Sequence, residues 1–567
     1  MSRRDRRPPP PPAGFTPPHA MTAGPGHAVG VEPRSHHGAA PRTVPASPAQ
    51  ERVWFASRMA PDASAYRIVD ELVVHAEVTE TDLRRAFALL VRRHEALRTA
   101  LRIVDGRLTQ YVLPRIDLVL RHVDLTGVDD AQQADTRRFR ATELVSRPFD
   151  LERAPLWRAE LLALGEREWA VVFAAHHVVY DAASRFNLHA ELTEICAAAE
   201  QGREPKLPEL PLSYTGYARR ERDRLSPRRR TELAAYWRAR LARLPPVHRL
   251  PLDHPRPAAR TFVGAEVRAG LPPEVTASLP GSARRLGTEP VMLCLAAYVA
   301  LLHRHSGQED IVVGLPVTGR RQADVLPMIG TFVNMLVVRV DAGGAPTFAE
   351  LVGRVRSAAH VEDRYDIPFQ TLVELLPVPR LPGVPPLYQL AFNHVPSGGG
   401  LGAASSSSAG CEDDLLLDIT ADTVRIEYNV ALVEKSTADA LLADYLALLV
   451  AGVSEVDMPL PRLPAAPRPG GTPATPPART AAGGTPRTAT AKLVAEVWSV
   501  VLGTAVTDVH DDFFHLGGHS VQALRMLARL AADHDVELSI QAFFADPTVA
   551  GLATELARKR PRRTAWR

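Results

Sequence analysis

The sequence predicts an α/β fold class: two α/β lobes in series, followed by a small helical unit. Three observations carry this. Apolar runs of strand length alternate with amphipathic helical stretches from Thr43 onward, the same texture occurs twice, and a Pro-rich tract then sets apart about 70 to 80 residues of helical pattern.

In the first lobe, PASPAQERVWFASRM opens as a capped helix, and TDLRRAFALLVRRHEALRTAL carries apolar residues at three- and four-residue spacing. YRIVDELVVHAEV, LWRAELLALG and EWAVVFAAHH read as strands. In the second lobe PVMLCLAAYVALLHRHS and FAELVGRVRSAAHVED are helical, and DIVVGLPVTGR and FVNMLVVRVD are strand-like. The expected division is a Pro/Gly-rich disordered leader over 1–42, lobes over 43–222 and 223–460, a linker over 461–487, a helical unit over 488–560 and a basic tail over 561–567. The Gly/Ser tract 398–410 reads as a mobile insertion within the second lobe.

Composition narrows the function. A net charge of +3 over 567 residues, with arginines spread along helices, gives no footprint for nucleic acid. Three dispersed cysteines, Cys196, Cys294 and Cys411, exclude a disulfide framework and a Cys-based zinc site, so a reducing cytoplasm is expected. No apolar segment follows the basic N-terminus, and no uncharged run nears the ~20 residues that span a bilayer, so neither export nor membrane insertion is expected.

WAVVFAAHHVVYDAAS ends an apolar strand in two adjacent histidines, with an aspartate four residues after the second. Side chains alternate along a strand, so His176 and His177 face opposite ways while it persists and at most one reaches a cavity. A metal site would want imidazoles on one side and further ligands, which the sequence does not offer. A neutral imidazole in a tunnel suits a different task, accepting a proton or a hydrogen bond from an attacking amine or hydroxyl. Asp181 fits a loop-fixing ion pair better than catalysis, and the bland alternative for the whole group is a satisfied polar strand end. The His36–His37 pair lies in Pro/Gly-rich sequence with nothing to position it.

SPAQERVWF from Ser47, RRHEALRTAL from Arg92, HHVVYDAAS from His176, GLPVTGRR from Gly314, IGTFVNM from Ile329 and YDIPFQTLVELL from Tyr365 follow in order. Together they resemble the condensation domains of nonribosomal peptide synthetases, over about residues 43 to 460. The resemblance implies two lobes like chloramphenicol acetyltransferase around a V-shaped cleft, with a tunnel passing His177. It implies a catalytic group of His177, His176 and Asp181, and cleft contributions from Arg98, Arg320 and Asn334, with Arg320 a candidate partner of Asp181. The sequence departs from the family at Ala182, where glycine is usual, at Gly216, where aspartate is usual, and at Tyr365, where histidine is common.

In DVHDDFFHLGGHSVQALRMLARL, Ser520 opens an amphipathic helix after Gly517 and Gly518, a position where serine is ordinarily an N-cap. The stretch from Leu493 through LGGHS to IQAFFADPTVAGLA resembles peptidyl carrier domains, which implies a covalent 4′-phosphopantetheine on Ser520. A helix N-terminus favours the negative phosphodiester. Val521, Leu524 and Met526 are candidates either for a partner-facing surface or for core.

No GxxxxGK[ST] loop and no adenylation-like segment occurs. The implied function is amide-bond condensation of a carrier-bound donor thioester with an acceptor amine on the chain's own arm. The implied partners are an upstream acyl or peptidyl carrier, a separate adenylating enzyme, a phosphopantetheinyl transferase and a downstream synthetase module. Ester formation and a catalytically silent carrier-binding scaffold are the alternatives, while an epimerisation domain is disfavoured because its carrier precedes it.

Overall fold

The computed structural model describes residues 40–59, 66–257, 260–361, 363–376, 381, 383–394, 411–464, 472–473, 484–514, 516, 518, 520–534, 536 and 538–559. The leader through residue 39 with His36 and His37, the Gly/Ser tract, most of the Pro-rich tract and the basic tail lie outside these residues. From Pro41 onward the chain clusters as one compact unit.

The first half runs β1 (Arg42–Pro45), α1 (Pro48–Met59), β2 (Arg67–His75), α2 (Glu80–Arg93), β3 (Thr99–Val104), β4 (Arg107–Val112), β5 (Leu120–Asp124), α3 (Asp130–Ser146), β6 (Trp157–Gly165), β7 (Glu168–His176) and α4 (Ala182–Glu200). The α1 start is a reciprocal cap: Gln50 N–H donates to Ser47 Oγ (3.1 Å), and Ser47 N–H to Gln50 Oε1 (2.9 Å). One sheet has the order β2-β7-β6-β5, and β1-β4-β3 forms a second. Every residue of β7 from Trp169 to His176 is buried, so the strand reads as a continuous apolar run rather than an alternating one. On one of its faces Phe87, Leu90, Trp157, Phe173, Tyr180 and Leu188 form a core with α2 and α4.

The second half runs α5 (Tyr214–Asp223), α6 (Pro227–Arg240), β8 (Pro251–Leu252), β9 (Gly264–Gly270), α7 (Pro273–Arg285), α8 (Pro290–Ser306), β10 (Asp310–Val317), β11 (Asn334–Asp341), α9 (Phe348–Ala359), α10 (Phe369–Leu375), β12 (Leu390–His394), β13 (Leu415–Ile419), β14 (Thr423–Asn429) and α11 (Lys435–Ser454). Its sheet has the order β11-β10-β12-β13-β14-β9, with α8 and α11 packed into the core. α11 is long and apolar enough to cross a membrane by length and composition. Its Leu441, Tyr445 and Leu448 are buried in the protein core, and its Asp444 accepts from His305 Nε2 at 2.8 Å.

β15 (Thr472–Pro473) pairs with β8, and then α12 (Ala489–Leu502), α13 (Ser520–His534), α14 (Ile540–Ala545) and α15 (Val549–Lys559) form the helical unit. Its core of Val494, Trp498, Phe513, Met526, Phe543 and Leu552 is fully buried, each such side chain stabilising it by roughly 1.5–3 kcal/mol.

Candidate active site

β7 stops at His176, and a turn over 177–179 swings the chain into α4. The two histidines therefore part company because the strand ends between them. His176 is buried, donates its N–H to Leu156 O (2.9 Å) and accepts from Val178 N–H at Nδ1 (3.2 Å). Burial first, then the neighbouring His177, pushes its pKa down to about 3.

His177 is half-buried, and its N–H donates to Tyr66 O at 2.7 Å. Its Nδ1 lies 2.7 Å from Tyr180 O. A carbonyl can only accept, so Nδ1 carries the proton and the neutral ring keeps its lone pair on Nε2. Burial, and then Arg52, lowers the His177 pKa, which favours that neutral, basic form.

Asp181 is 1 % exposed and caps α4, accepting from Ser184 N–H (2.8 Å) and Ser184 Oγ–H (2.7 Å). Arg320 donates from Nη2 to Asp181 Oδ1 at 2.9 Å, and Phe332 N–H donates to Oδ2 at 3.1 Å. The same guanidinium donates through Nη1 to Val325 O (2.8 Å) and Met328 O (2.7 Å) and lies 4.0 Å from the Phe332 ring centroid. Asp181 thus ties the turn after His177 to the segment between β10 and β11. Gly319 makes that approach feasible: its φ is +64°, and a Cβ there would lie 2.0 Å from Phe332 O.

The other sequence candidates fall in different places. Arg98 donates to Val91 O (3.2 Å) and Leu113 O (2.6 Å), so it braces the first lobe. Asn334 donates to Ile367 O (2.7 Å) and accepts from Phe369 N–H (2.9 Å), which fixes the start of α10. Ala182 is the exposed first residue of α4, where its methyl is accommodated. Gly216 sits in the first turn of α5, donating its N–H to Ser213 Oγ at 3.2 Å, and Tyr365 stacks on Tyr236 at 3.7 Å.

A cavity of about 350 Å³ opens where the lobes and the helical unit meet. Tyr66, whose carbonyl holds the His177 backbone, lines it together with Arg52, Phe55, Arg260, Glu412 and Asp413. Asp512, Phe514, Phe544 and Pro547 of the helical unit complete the wall. Nothing local signals Glu412 and Asp413, which read in the sequence as an ordinary solvated charge run before a strand.

Ser520 is the first residue of the 15-residue α13. The preceding loop is tight: Gly518 N–H donates to Phe513 O (2.9 Å), and a Cβ on Gly518 would lie 2.3 Å from the Phe513 ring. A helix start reached through so close a turn fits an attached phosphodiester, since its first N–H groups have no partner within the helix. Leu524 of α13 and Ile540 of α14 are buried against Val53, Trp54, Leu101 and Leu108, and the Phe55 and Phe544 rings meet edge to face at 4.9 Å. Met526 instead lies in the helical unit's own core, which separates the two readings left open for this helix. The Val521 side chain lies outside the described residues.

The condensation-domain family model matches residues 41–410. The chain belongs to the condensation-domain family. A phosphopantetheine attachment site matches residues 492–556, so the helical unit is a carrier that bears covalent 4′-phosphopantetheine. A linear gramicidin synthase protein of Brevibacillus parabrevis is 36 % identical over 438 residues, which is 74 % of this chain and 6 % of the synthase protein. Phosphinothricin tripeptide synthetase PhsC of Streptomyces viridochromogenes is 37 % identical over 350 residues, 62 % of this chain and 32 % of that one. The chain thus spans a small part of the curated relatives it matches. Among solved structures, SgcC5 from Streptomyces globisporus superimposes with a TM-score of 0.63 at 27 % identity, covering 73 % of this chain and all of SgcC5. The two lobes of the condensation domain and its following carrier are therefore the architecture that the motifs implied.

Proposed function

We propose that this protein is a nonribosomal peptide synthetase component that joins a donor acyl or peptidyl thioester, delivered on a separate carrier, to an acceptor amine held on its own Ser520 arm. The observation that carries this reading is the His177–Tyr180 contact, which leaves Nε2 unprotonated, on a turn whose backbone is held by Tyr66 of a cavity that the chain's own carrier helps to close. Bound to Ser520, phosphopantetheine supplies the thiol that holds the acceptor. His177 Nε2 accepts a hydrogen bond from the acceptor amine as its nitrogen attacks the donor carbonyl. The new C–N bond forms, the donor C–S bond breaks, and the amine proton passes by way of His177 to the departing thiolate. His176 supports the turn from behind, and Asp181 with Arg320 fixes it, so both act through position rather than by touching substrate.

The division into a leader, two lobes meeting at residues 222 and 223, a linker and a carrier is part of this reading. So are the partners: an upstream carrier, an adenylating enzyme acting in trans, a phosphopantetheinyl transferase and a further synthetase module, all in the cytoplasm. The relatives support the class of reaction, because their names describe peptide synthases and synthetases. Intact-protein mass spectrometry tests the reading. A phosphopantetheinyl transferase with coenzyme A adds one arm to the wild-type protein and none to Ser520→Ala. An arm on the Ser520→Ala protein places the attachment elsewhere.

A further inference from the structure

Two cavities meet at one charged side chain. The larger is the one that the carrier helps to wall, and a smaller one of about 50 Å³ is lined by Tyr217, Gly319, Phe332 and Asn334 among others. Among the described residues only Arg52 and Phe369 line both. Each cavity also holds one support of the His177 turn: Tyr66, in the larger, accepts the His177 N–H, and Phe332, in the smaller, donates its own N–H to Asp181. Arg52, on α1, is therefore the one charged side chain common to the two spaces that flank this turn.

Its bonding sets it apart as well. The other three arginines of the smaller cavity are compensated: Arg220 pairs with Asp324, Arg224 with Glu221 at 2.9 Å and Arg321 with Asp366 at 3.3 Å. Among the described residues the Arg52 guanidinium makes no hydrogen bond and no ion pair, and its Nε is buried without an acceptor. In the larger cavity Arg52 and Arg260 face Glu412 and Asp413, two charges of each sign with no ion pair between them, so that wall as a whole favours neither anion nor cation. What singles out Arg52 is its place and its unused donors. A half-buried guanidinium carries five N–H donors, and an oxygen arriving with negative charge gives them the acceptor they lack. After burial, Arg52 is also what lowers the His177 pKa most, as a cation near that ring does.

We propose that Arg52 is a catalytic residue that holds the donor carbonyl oxygen and stabilises the negative charge it gains when the acceptor amine attacks. As the C–N bond forms, the carbonyl π pair moves onto oxygen, and the guanidinium N–H groups donate to it. When that pair returns, the C–S bond breaks and the amine proton passes by way of His177 to the thiolate. Arg52 itself gives up no proton. This rests on the condensation reading given above and adds to it the group that meets the developing charge.

The full chain tests it, with Ser520 loaded from an aminoacyl coenzyme A and a small acyl thioester as donor. Arg52→Met keeps the length of the side chain and removes its donors. Its kcat is expected to fall about 100- to 1,000-fold, the scale of one lost oxyanion contact, with the donor KM and the unfolding midpoint little changed. Arg52→Lys keeps part of the rate, and methylguanidinium added to Arg52→Ala restores part of it. The pH profile separates this role from an effect through His177 alone. Removing Arg52 moves the acid limb to higher pH, but the loss persists on the alkaline plateau. A rate that returns to the wild-type value there overturns the inference, as does a higher donor KM at unchanged kcat. Binding supplies a second readout, by calorimetry of acetyl-pantetheine and of pantetheine S-methylphosphonate with the Ser520→Ala protein. The phosphonate carries charged oxygen where the thioester has its carbonyl, and it is expected to bind more tightly by about tenfold or more. A phosphonate preference that survives Arg52→Met overturns the inference while leaving condensation standing. Arg52-dependent phosphonate binding without amide from any acceptor overturns the condensation reading alone, and no amide together with binding that ignores Arg52 overturns both.

Discussion

His177 Nδ1 donates to the carbonyl oxygen of Tyr180 across 2.7 Å, so the backbone of the residue before Asp181 sets the tautomer of the His177 ring. His177→Ala is expected to lower product formation by about 100- to 10,000-fold with the fold intact, the usual share of one positioned acid or base. Product analysis beside a circular dichroism spectrum checks this, and near-normal turnover removes His177 from the mechanism. Because burial and Arg52 lower the His177 pKa, the neutral form persists below the ordinary histidine value. The acid limb of the rate profile should accordingly fall below about pH 6.5.

His176 predicts a stability effect of definite sign. Its folded pKa is about 3 against 6.5 for the free side chain, so between those values the unfolded chain binds a proton that the folded chain refuses. The stabilisation is complete above pH 6.5 and is lost as pH falls toward 3, at about 1.4 kcal/mol per pH unit. Chemical unfolding at pH 7.5 and pH 5.0 should differ by about 2 kcal/mol from this residue, and His176→Gln should flatten the difference. An unchanged pH dependence in the variant assigns the effect to other groups.

Asp181→Ala strands Arg320, whose side chain is 3 % exposed, and loses the α4 cap at the same time. A loss of about 3 to 5 kcal/mol is expected in the unfolding of the condensation domain. Removing Arg320 as well, as in the Asp181→Leu, Arg320→Met pair, should cost less than the sum of the two single changes. A stable but inactive Asp181→Ala protein argues for direct catalysis instead.

Most of this fold was legible in the sequence because its elements are strongly periodic, and β7 (Glu168–His176) nearly coincides with the apolar run EWAVVFAAHH, whereas α4 and its Asp181 cap come from the structure alone. The direction of the two histidines was only half legible. Alternation along a strand separates them in principle, but what separates them here is that β7 ends at His176 and His177 enters a turn. The Asp181–Arg320 pair spans 139 positions, and nothing local in either residue announces the other. The carrier surface was ambiguous for a related reason: Leu524 and Met526 are both apolar on one amphipathic helix, and only packing assigns one to the neighbouring lobe and the other to the core. Glu412 and Asp413 were invisible because a charge run before a strand is usually solvated, and the residues that share their cavity come from α1, Tyr66, α10 and the carrier.

The remaining prediction concerns which protein keeps the product. Phe544 meets Phe55, Leu524 is buried against the first lobe, and Gly106 at the β3–β4 turn leaves room for Arg525, whose Cγ would lie 2.6 Å from a Cβ there. A carrier seated in this way lends Asp512, Phe514, Phe544 and Pro547 to the wall of the cavity that reaches Tyr66 and, through its carbonyl, the His177 backbone. In the proposed reaction an amine on that arm attacks a donor arriving from elsewhere, and attack moves the acyl group onto the amine, so the lengthened chain is expected to end on Ser520. The measurement loads Ser520 with an aminoacyl group, supplies an isotopically labelled donor on a separate carrier, and weighs both proteins after reaction. The label is expected on this chain, with the partner returned as a free thiol. Gly106→Leu and Leu524→Asp, which disturb the docked surface, should slow the transfer while arm attachment by the transferase continues. A label that stays on the partner, or leaves as a small amide, overturns the assignment of the Ser520 arm as acceptor.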